Sequence, residues 1–241
     1  MTLGAVRALS IVHQRDSGSG VFARAAADRG DELVEWIPAE APPPELAGFG
    51  AALVFGGGMD VDQEDQHPWL RGEKELLRTL IDDRVPALGV CLGAQLLAEA
   101  AGGSVRRAAQ PEIGWKEVEL TQEAAADPVL GALPGRFDAF QWHHCEFTLP
   151  ERAVALAHSA VCLQAFRLRA APTWGIQFHA EVTAETVEEW LRDFARDDDA
   201  VHAKLDRGTV LAQTQREIGR WNELGIGVCR RFLERAAVTP E

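Results

Sequence analysis

The sequence predicts an α/β protein with a central, mostly parallel sheet covered by helices on both faces. Through the first hundred residues, short apolar runs alternate with stretches of helical period, which is the pattern of βαβ units. Two glycine-bearing junctions, GGG at 56–58 and G-x-C-x-G at 89–93, fall at the carboxyl ends of predicted strands. In open α/β sheets the ligand crevice lies at those ends. The middle of the chain is richer in strand-like runs, and the tail is helical.

Residues 5–13 (AVRALSIVH) give the first strand, and QRDSGSG a loop. Residues 21–30 have helical spacing and close on Gly30, a suitable C-cap. Leu33 to Pro38 is a second strand, 41–50 a proline-rich connection, and Ala51 to Phe55 a third strand. A glycine-led acidic loop, GGGMDVDQEDQHP, precedes an amphipathic helix over 69–84, with Leu70, Leu77, Leu80 and Ile81 on its apolar side. Pro86 to Val90 is a strand that runs into Cys91, and a helix follows from Gln95. Further strands are expected at Trp115–Leu120, Arg136–Trp142, Ala153–Ala157, Cys162–Leu168 and Trp174–Phe178. Thr183 is placed to cap a helix with Glu185 in its first turn. Asp197–Asp199 reads as a solvated turn. The tail from Gly208 to Ala237 reads as helix broken near Gly225–Gly227. With no repeat, low-complexity segment or clear linker, the expectation is one domain over 1–241, with a C-terminal helical extension from about residue 184.

The chain has 241 residues, 46% apolar and 25% charged, ordinary for a globular protein. Acidic residues outnumber basic ones by 37 to 24, the wrong sign for non-specific nucleic-acid binding. No apolar run approaches the ~20 residues of a membrane helix. The N-terminal MTLGAVRALSIVHQ has no export signal, so a cytoplasmic location is expected. Cys91, Cys145, Cys162 and Cys229 form no C-x-x-C pair, which excludes zinc-finger and thioredoxin patterns and points to free thiols. No tyrosine is present, so tyrosine chemistry is excluded.

Cys162 and Cys229 read as small core residues. Cys91 differs, because G-x-C-x-G at a strand-to-helix junction is the cysteine form of the nucleophile elbow. The tight turn demands small flanking residues and lifts the thiol out of the sheet. The helix N-terminus behind it stabilises a thiolate, and the N–H of Leu92 is left to bind an oxyanion. A thiol nucleophile needs a base with an orienting partner. His179 ends the apolar run WGIQF, and Glu181 lies two residues on, on the same side of an extended segment. The glycines of GGGMD let backbone N–H groups approach a ligand. No G-K-[ST] follows, so the stretch lacks the phosphate-loop signature, and a flexible turn is the alternative reading.

Taken together, VFGGGM (54–59), DQEDQHPWL, RVPALGVCLGAQLLA (84–98), PEIGW (111–115), FQWH (140–143), QAF (164–166) and GIQFHAEVT (175–183) resemble class I glutamine amidotransferases in order and over nearly the whole chain. The closer likeness is to stand-alone proteins similar to the amidotransferase domain of GMP synthase. The resemblance implies a flavodoxin-like three-layer fold. It also implies a Cys91–His179–Glu181 triad, an oxyanion hole from the N–H groups of Gly57 and Leu92, and substrate contact by Gln95. No metal or organic cofactor is implied. The implied substrate is glutamine or another γ-glutamyl compound, with ammonia passed to a synthetase or acceptor subunit. The sequence leaves the oligomeric state open.

Three departures stand out. The family's GGP reads Gly56-Gly57-Gly58, its HPE reads His179-Ala180-Glu181, and its QWHGDTF reads QWHHCEF (141–147). The last reads either as a reshaped pocket or as neutral drift in a loop, where His143 reads as pocket wall or a structural residue and His144 as an added side chain. Two alternatives stay open: a γ-glutamyl peptide or γ-glutamylamine hydrolase without a synthetase, and a non-catalytic regulatory or binding subunit.

Overall fold

The computed structural model describes residues 4–193, 200–201 and 205–238. Its strands are β1 (Arg7–Ile11), β2 (Glu32–Trp36), β3 (Ala51–Val54), β4 (Ala87–Val90), β5 (Val105–Leu120), β6 (Arg136–Phe147), β7 (Ala153–His158), β8 (Leu163–Leu168) and β9 (Thr173–Ile176). The helices are α1 (Gly20–Arg29), α2 (Trp69–Asp82), α3 (Leu92–Ala100), α4 (Ala184–Asp193) and α5 (Arg207–Ala236), with a short 3₁₀ turn at Glu123–Ala126. The nine strands form one sheet in the order β2-β1-β3-β4-β9-β8-β7-β5-β6. The strands from β2 to β9 run parallel, and the sheet continues antiparallel through β8, β7, β5 and β6.

β3, β4 and β9 are buried at every residue, because helices cover both faces of the parallel part. One apolar cluster joins α1, α4 and α5 to the sheet through Phe22, Phe55, Trp174, Trp221 and Phe232. The opposite cluster carries α2 and α3 through Leu70, Leu77, Leu92 and Leu96. This is the flavodoxin-like α/β arrangement that the sequence predicts, with the β-rich middle extending the same sheet.

Three local expectations are corrected. α3 begins at Leu92, directly after Cys91, rather than at Gln95. QWHHCEF is not a loop: β6 continues through it to Phe147, paired with the longer β5. That pairing shifts register between Arg107 and Glu112, around Pro111, which cannot donate a ladder bond. α5 is one unbroken helix over 30 residues. Gly225 is there for closeness rather than for a break, since a Cβ would sit 2.0 Å from the carbonyl oxygen of Ala180. As expected, Gly30 adopts φ 78 and closes α1, and Thr183 Oγ1 accepts the N–H of Thr186 at the start of α4. Asp197–Asp199 lies outside the described residues. Among the described residues no helix is long and apolar enough to cross a membrane.

Candidate active site

The junction between β4 and α3 forces Cys91 into φ 53, ψ −111, a region that costs a non-glycine residue about 1–3 kcal/mol. The surroundings hold it there. The Cys91 N–H donates to Ile176 O at 2.8 Å, and its carbonyl accepts the N–H of Gln95 at 3.0 Å. The flanking glycines pack across the turn. A Cβ on Gly89 would meet the Gly93 backbone at 2.5 Å, and one on Gly93 would meet Val54 O at 2.1 Å. The thiol, 3.8 Å from Trp142 O, faces a cavity of about 540 Å³ also lined by Gly57, Leu92, Gln95, His143, His144 and His179. Leu92 is the first helical residue of α3, so its N–H has no intrahelical acceptor.

His179 follows β9, and its N–H donates to Phe140 O at 2.9 Å, where the curl of the sheet brings β6 back over the site. Its Nδ1 lies 2.7 Å from Glu181 Oε1, and both side chains are buried. That bond assigns the proton to Nδ1 and leaves Nε2 without a hydrogen-bond partner among the described residues. The Cys91 side chain and the His179 imidazole both lie against Gly56. A Cβ there would lie 3.1 Å from His179 Cε1 and 3.6 Å from Cys91 Cβ. Burial works against a charged ring, but the Glu181 carboxylate and then the Cys91 thiol outweigh it and push the imidazole up to about 10.

The backbone of the base and its orienter is held on four consecutive carbonyls. Trp221 Nε1 donates to His179 O at 2.8 Å, and Asn222 Nδ2 to Val182 O at 2.7 Å. The Val21 N–H donates to Glu181 O at 2.8 Å, and Gly225 closes over Ala180 O. Sequence reasoning missed Trp221 and Asn222, which belong to a helix distant in the chain. With them in place, the proline missing at position 180 has a substitute restraint.

A second buried pair, also missed, lies beneath the glycine loop. His13 Nε2 is 2.8 Å from Glu73 Oε1, and its Nδ1 is 3.0 Å from Phe55 O and 3.2 Å from Gly56 O. Both ring nitrogens therefore face acceptors, as an imidazolium requires. Burial opposes that charge, yet Glu73 leads the groups that raise the His13 pKa above its ordinary value. In a trans peptide the C=O and the next N–H point in opposite directions. Holding Gly56 O toward His13 thus turns the Gly57 N–H away from His13. Two signals were available: His13 follows β1 by two residues at the crevice side of the sheet, and Glu73 interrupts the apolar stripe Leu70–Leu77–Leu80. At Gly58 the backbone N–H donates to Gln14 Oε1 at 2.7 Å, a bond that the family's proline could not make.

The predicted substrate-side residues divide. Gln95 is buried, and its amide donates to Cys145 O at 3.4 Å and Gln177 Oε1 at 3.2 Å, so its N–H groups are spent inside the protein. His143 is also buried in the cavity wall. Its Nδ1 lies 2.9 Å from Cys145 O and its Nε2 3.4 Å from Glu112 Oε2. Burial pushes Glu112 up, but His143 leads the contacts that hold it below the usual carboxylate range. His144 is half-exposed, with Nε2 2.9 Å from Asp60 Oδ1. All four cysteines are free. Burial, then Asp60, pushes the Cys145 thiol up to about 12, and burial, then Glu112, does the same for Cys162. Neither has the surroundings of Cys91.

The family described as glutamine amidotransferase class-I matches residues 16–197. The chain is 29% identical over 184 residues to the glutamine amidotransferase-like protein YfeJ of Salmonella typhimurium, which covers 74% of this chain and 77% of that one. It is 32% identical over 174 residues to a glutamine-hydrolyzing GMP synthase subunit of Haloquadratum walsbyi, covering 71% and 88% of the two chains. Among solved structures, a glutamine amidotransferase from Thermotoga maritima aligns with TM-score 0.85 at 29% identity, covering 98% of this chain and all of that one. Matched over well more than half its length and on the fold just described, the chain belongs to the class I glutamine amidotransferase family.

Proposed function

We propose that this protein hydrolyses the γ-glutamyl amide of glutamine through a thioester on Cys91. The observation that carries the reading is that the Cys91 side chain and the His179 imidazole both lie against Gly56, with Glu181 2.7 Å behind the ring. His179 takes the thiol proton. The thiolate attacks the amide carbon, and the N–H groups of Gly57 and Leu92 receive the developing oxyanion. Collapse breaks the C–N bond as His179 passes its proton to the leaving ammonia. His179 then takes a proton from water, whose oxygen attacks the thioester, and glutamate leaves as the thiol is restored. Glu181 keeps the ring in one tautomer and balances its charge in both steps. Gln95 acts as a tie that fixes the cavity floor, and His143 as its wall.

The relatives that are glutamine-hydrolyzing GMP synthase subunits motivate a second element: released ammonia passes to an acceptor on a synthetase-type partner. A hydrolase acting on longer γ-glutamyl compounds without such a partner is favoured by one observation. The cavity lies within the roughly 300–1,000 Å³ range of small-molecule sites and carries His144 and Asp60 beyond the triad. Glutamate release from L-glutamine and a γ-glutamyl panel, with Cys91→Ala as control, decides between them. Cys91-dependent turnover with glutamine preferred supports the first reading. A clear preference for γ-glutamyl peptides or amines supports the second. Turnover unaffected by Cys91→Ala would sink both.

A further inference from the structure

We propose that Asp60, His144 and Cys145 form a three-ligand site for a zinc-type divalent cation at the mouth of the cavity, with a fourth position open to solvent or ligand. Asp60 Oδ1, His144 Nε2 and Cys145 Sγ all lie within 4.8 Å of one another. A tetrahedral zinc, with bonds of about 2.0–2.1 Å to O and N and about 2.3 Å to S, separates O from N by about 3.3 Å and O from S by about 3.5 Å. Here Asp60 Oδ1 is 2.9 Å from His144 Nε2 and 3.5 Å from Cys145 Sγ. The oxygen–sulfur separation already matches. The oxygen–nitrogen pair needs to open by about 0.4 Å to exchange its hydrogen bond for a shared ion.

The backbone explains how adjacent residues of a strand reach one point, which a regular strand forbids. The register jumps from Arg107↔Cys145 to Glu112↔His143, so His144 falls within the shift, opposite the irregular stretch of β5. Cys145 is fixed by its carbonyl, which accepts from His143 and Gln95. Asp60 arrives from the loop after β3, 84 residues away from His144, which is why no ligand spacing was visible in the sequence. One thiolate, one imidazole and one carboxylate suit a borderline-soft ion and not calcium or magnesium. Asp62 adds negative charge to the neighbourhood, and Arg107 opposes it. Loading releases the Cys145 thiol proton to solvent. The other mixed cluster, Glu112, His143 and Cys162, is buried and already spends its carboxylate on Ser159 and Gln164.

Because the site shares the cavity with Cys91, a bound cation would also narrow the approach to that thiol. This consequence rests on Cys91 being the reactive thiol; the binding does not. The test is titration of the reduced, metal-free full chain with cobalt(II), in the Cys91→Ala background and with a phosphine reductant. The expected result is one equivalent of cobalt giving a thiolate-to-cobalt charge-transfer band and tetrahedral visible absorption, both removed by zinc. Cys145→Ser should abolish the charge-transfer band, and Asp60→Asn should weaken cobalt binding at least tenfold, while Cys162→Ala leaves the band in place. Circular dichroism checks that each variant is folded. No thiolate band in Cys91→Ala, or a band that survives Cys145→Ser, overturns the site. In the chain with Cys91 present, zinc should slow alkylation of Cys91 severalfold and lose that effect in Cys145→Ser. Equal alkylation rates with and without zinc overturn the occlusion.

Discussion

The indole N–H of Trp221 donates to the carbonyl of His179 at 2.8 Å, so α5 holds the backbone of the proposed base directly. The same ring packs against Phe137, Phe178 and Trp115. Trp221→Phe retains an aromatic ring and removes the donor. A single lost hydrogen bond costs about 0.5–1.5 kcal/mol of stability. Misplacing the base costs more in rate, because proton transfer depends on near-contact geometry. We expect kcat for glutamine hydrolysis to fall on the order of tenfold with KM little changed and a Tm only a few degrees lower. Adding Asn222→Ala, which frees Val182 O, should deepen the kcat loss. Unchanged kcat in the double variant would show that α5 does not position His179.

The Glu181–His179 pair makes a prediction with a sign. The folded His179 pKa is raised to about 10, above its ordinary value of about 6.5. A raised pKa contributes stability that is fully present below about 6.5 and is lost as pH rises through about 10. Urea midpoints should therefore decline between those limits. Glu181→Gln removes the main group that outweighs burial, so its curve should be flatter over the same window. A decline of equal slope in both proteins would exclude His179 as its source.

What the sequence displayed and what it hid follow from chain distance. Cys91 was legible because an elbow is a local backbone device whose glycines lie two residues to either side. His179 and Glu181 were legible because i and i+2 share a side of an extended segment. Trp221 reaches His179 across 42 residues and His13 meets Glu73 across 60, and no local pattern records either contact. The strand through QWHHCEF was hidden for a related reason. Its polar run lacks a period-2 apolar signal, and its extended form comes from pairing with β5. In α5 the two glycines looked alike in sequence, and only the structure separates their roles.

Those glycines therefore predict opposite outcomes. A Cβ at Gly227 meets nothing within 4 Å, so Gly227→Ala should stabilise the protein by about 0.5–1 kcal/mol through helix propensity. A Cβ at Gly225 would press on backbone, 2.0 Å from Ala180 O, so Gly225→Ala should destabilise by about 1–3 kcal/mol and lower kcat as the His179–Glu181 segment is displaced. Chemical denaturation of the two variants side by side checks this. Equal, stabilising effects at both positions would mean that α5 is not pinned against Ala180.

The His13–Glu73 pair predicts a loss of rate without a loss of binding. Glu73→Gln leaves the buried His13 ring without its countercharge, which in a closed interior costs about 3–5 kcal/mol. Because the raised His13 pKa depends on Glu73, the wild-type advantage over Glu73→Gln should be largest below about pH 6.5 and shrink as pH rises through the folded value. For activity the relevant bonds are those from Nδ1 to Phe55 O and Gly56 O, which set the peptide that carries the Gly57 N–H. Removing one oxyanion donor costs about 10²–10³ in kcat in a well-studied hydrolase. Loosening one should cost a fraction of that, on the order of tenfold. An oxyanion contact strengthens only as charge develops, so KM should stay near the wild-type value. His13→Leu combined with Glu73→Leu removes the pair without stranding a charge. It should recover much of the stability lost in Glu73→Gln but not the kcat. Recovery of both would reduce the pair to a packing element, whereas recovery of stability alone identifies it as the support of the Gly57 amide.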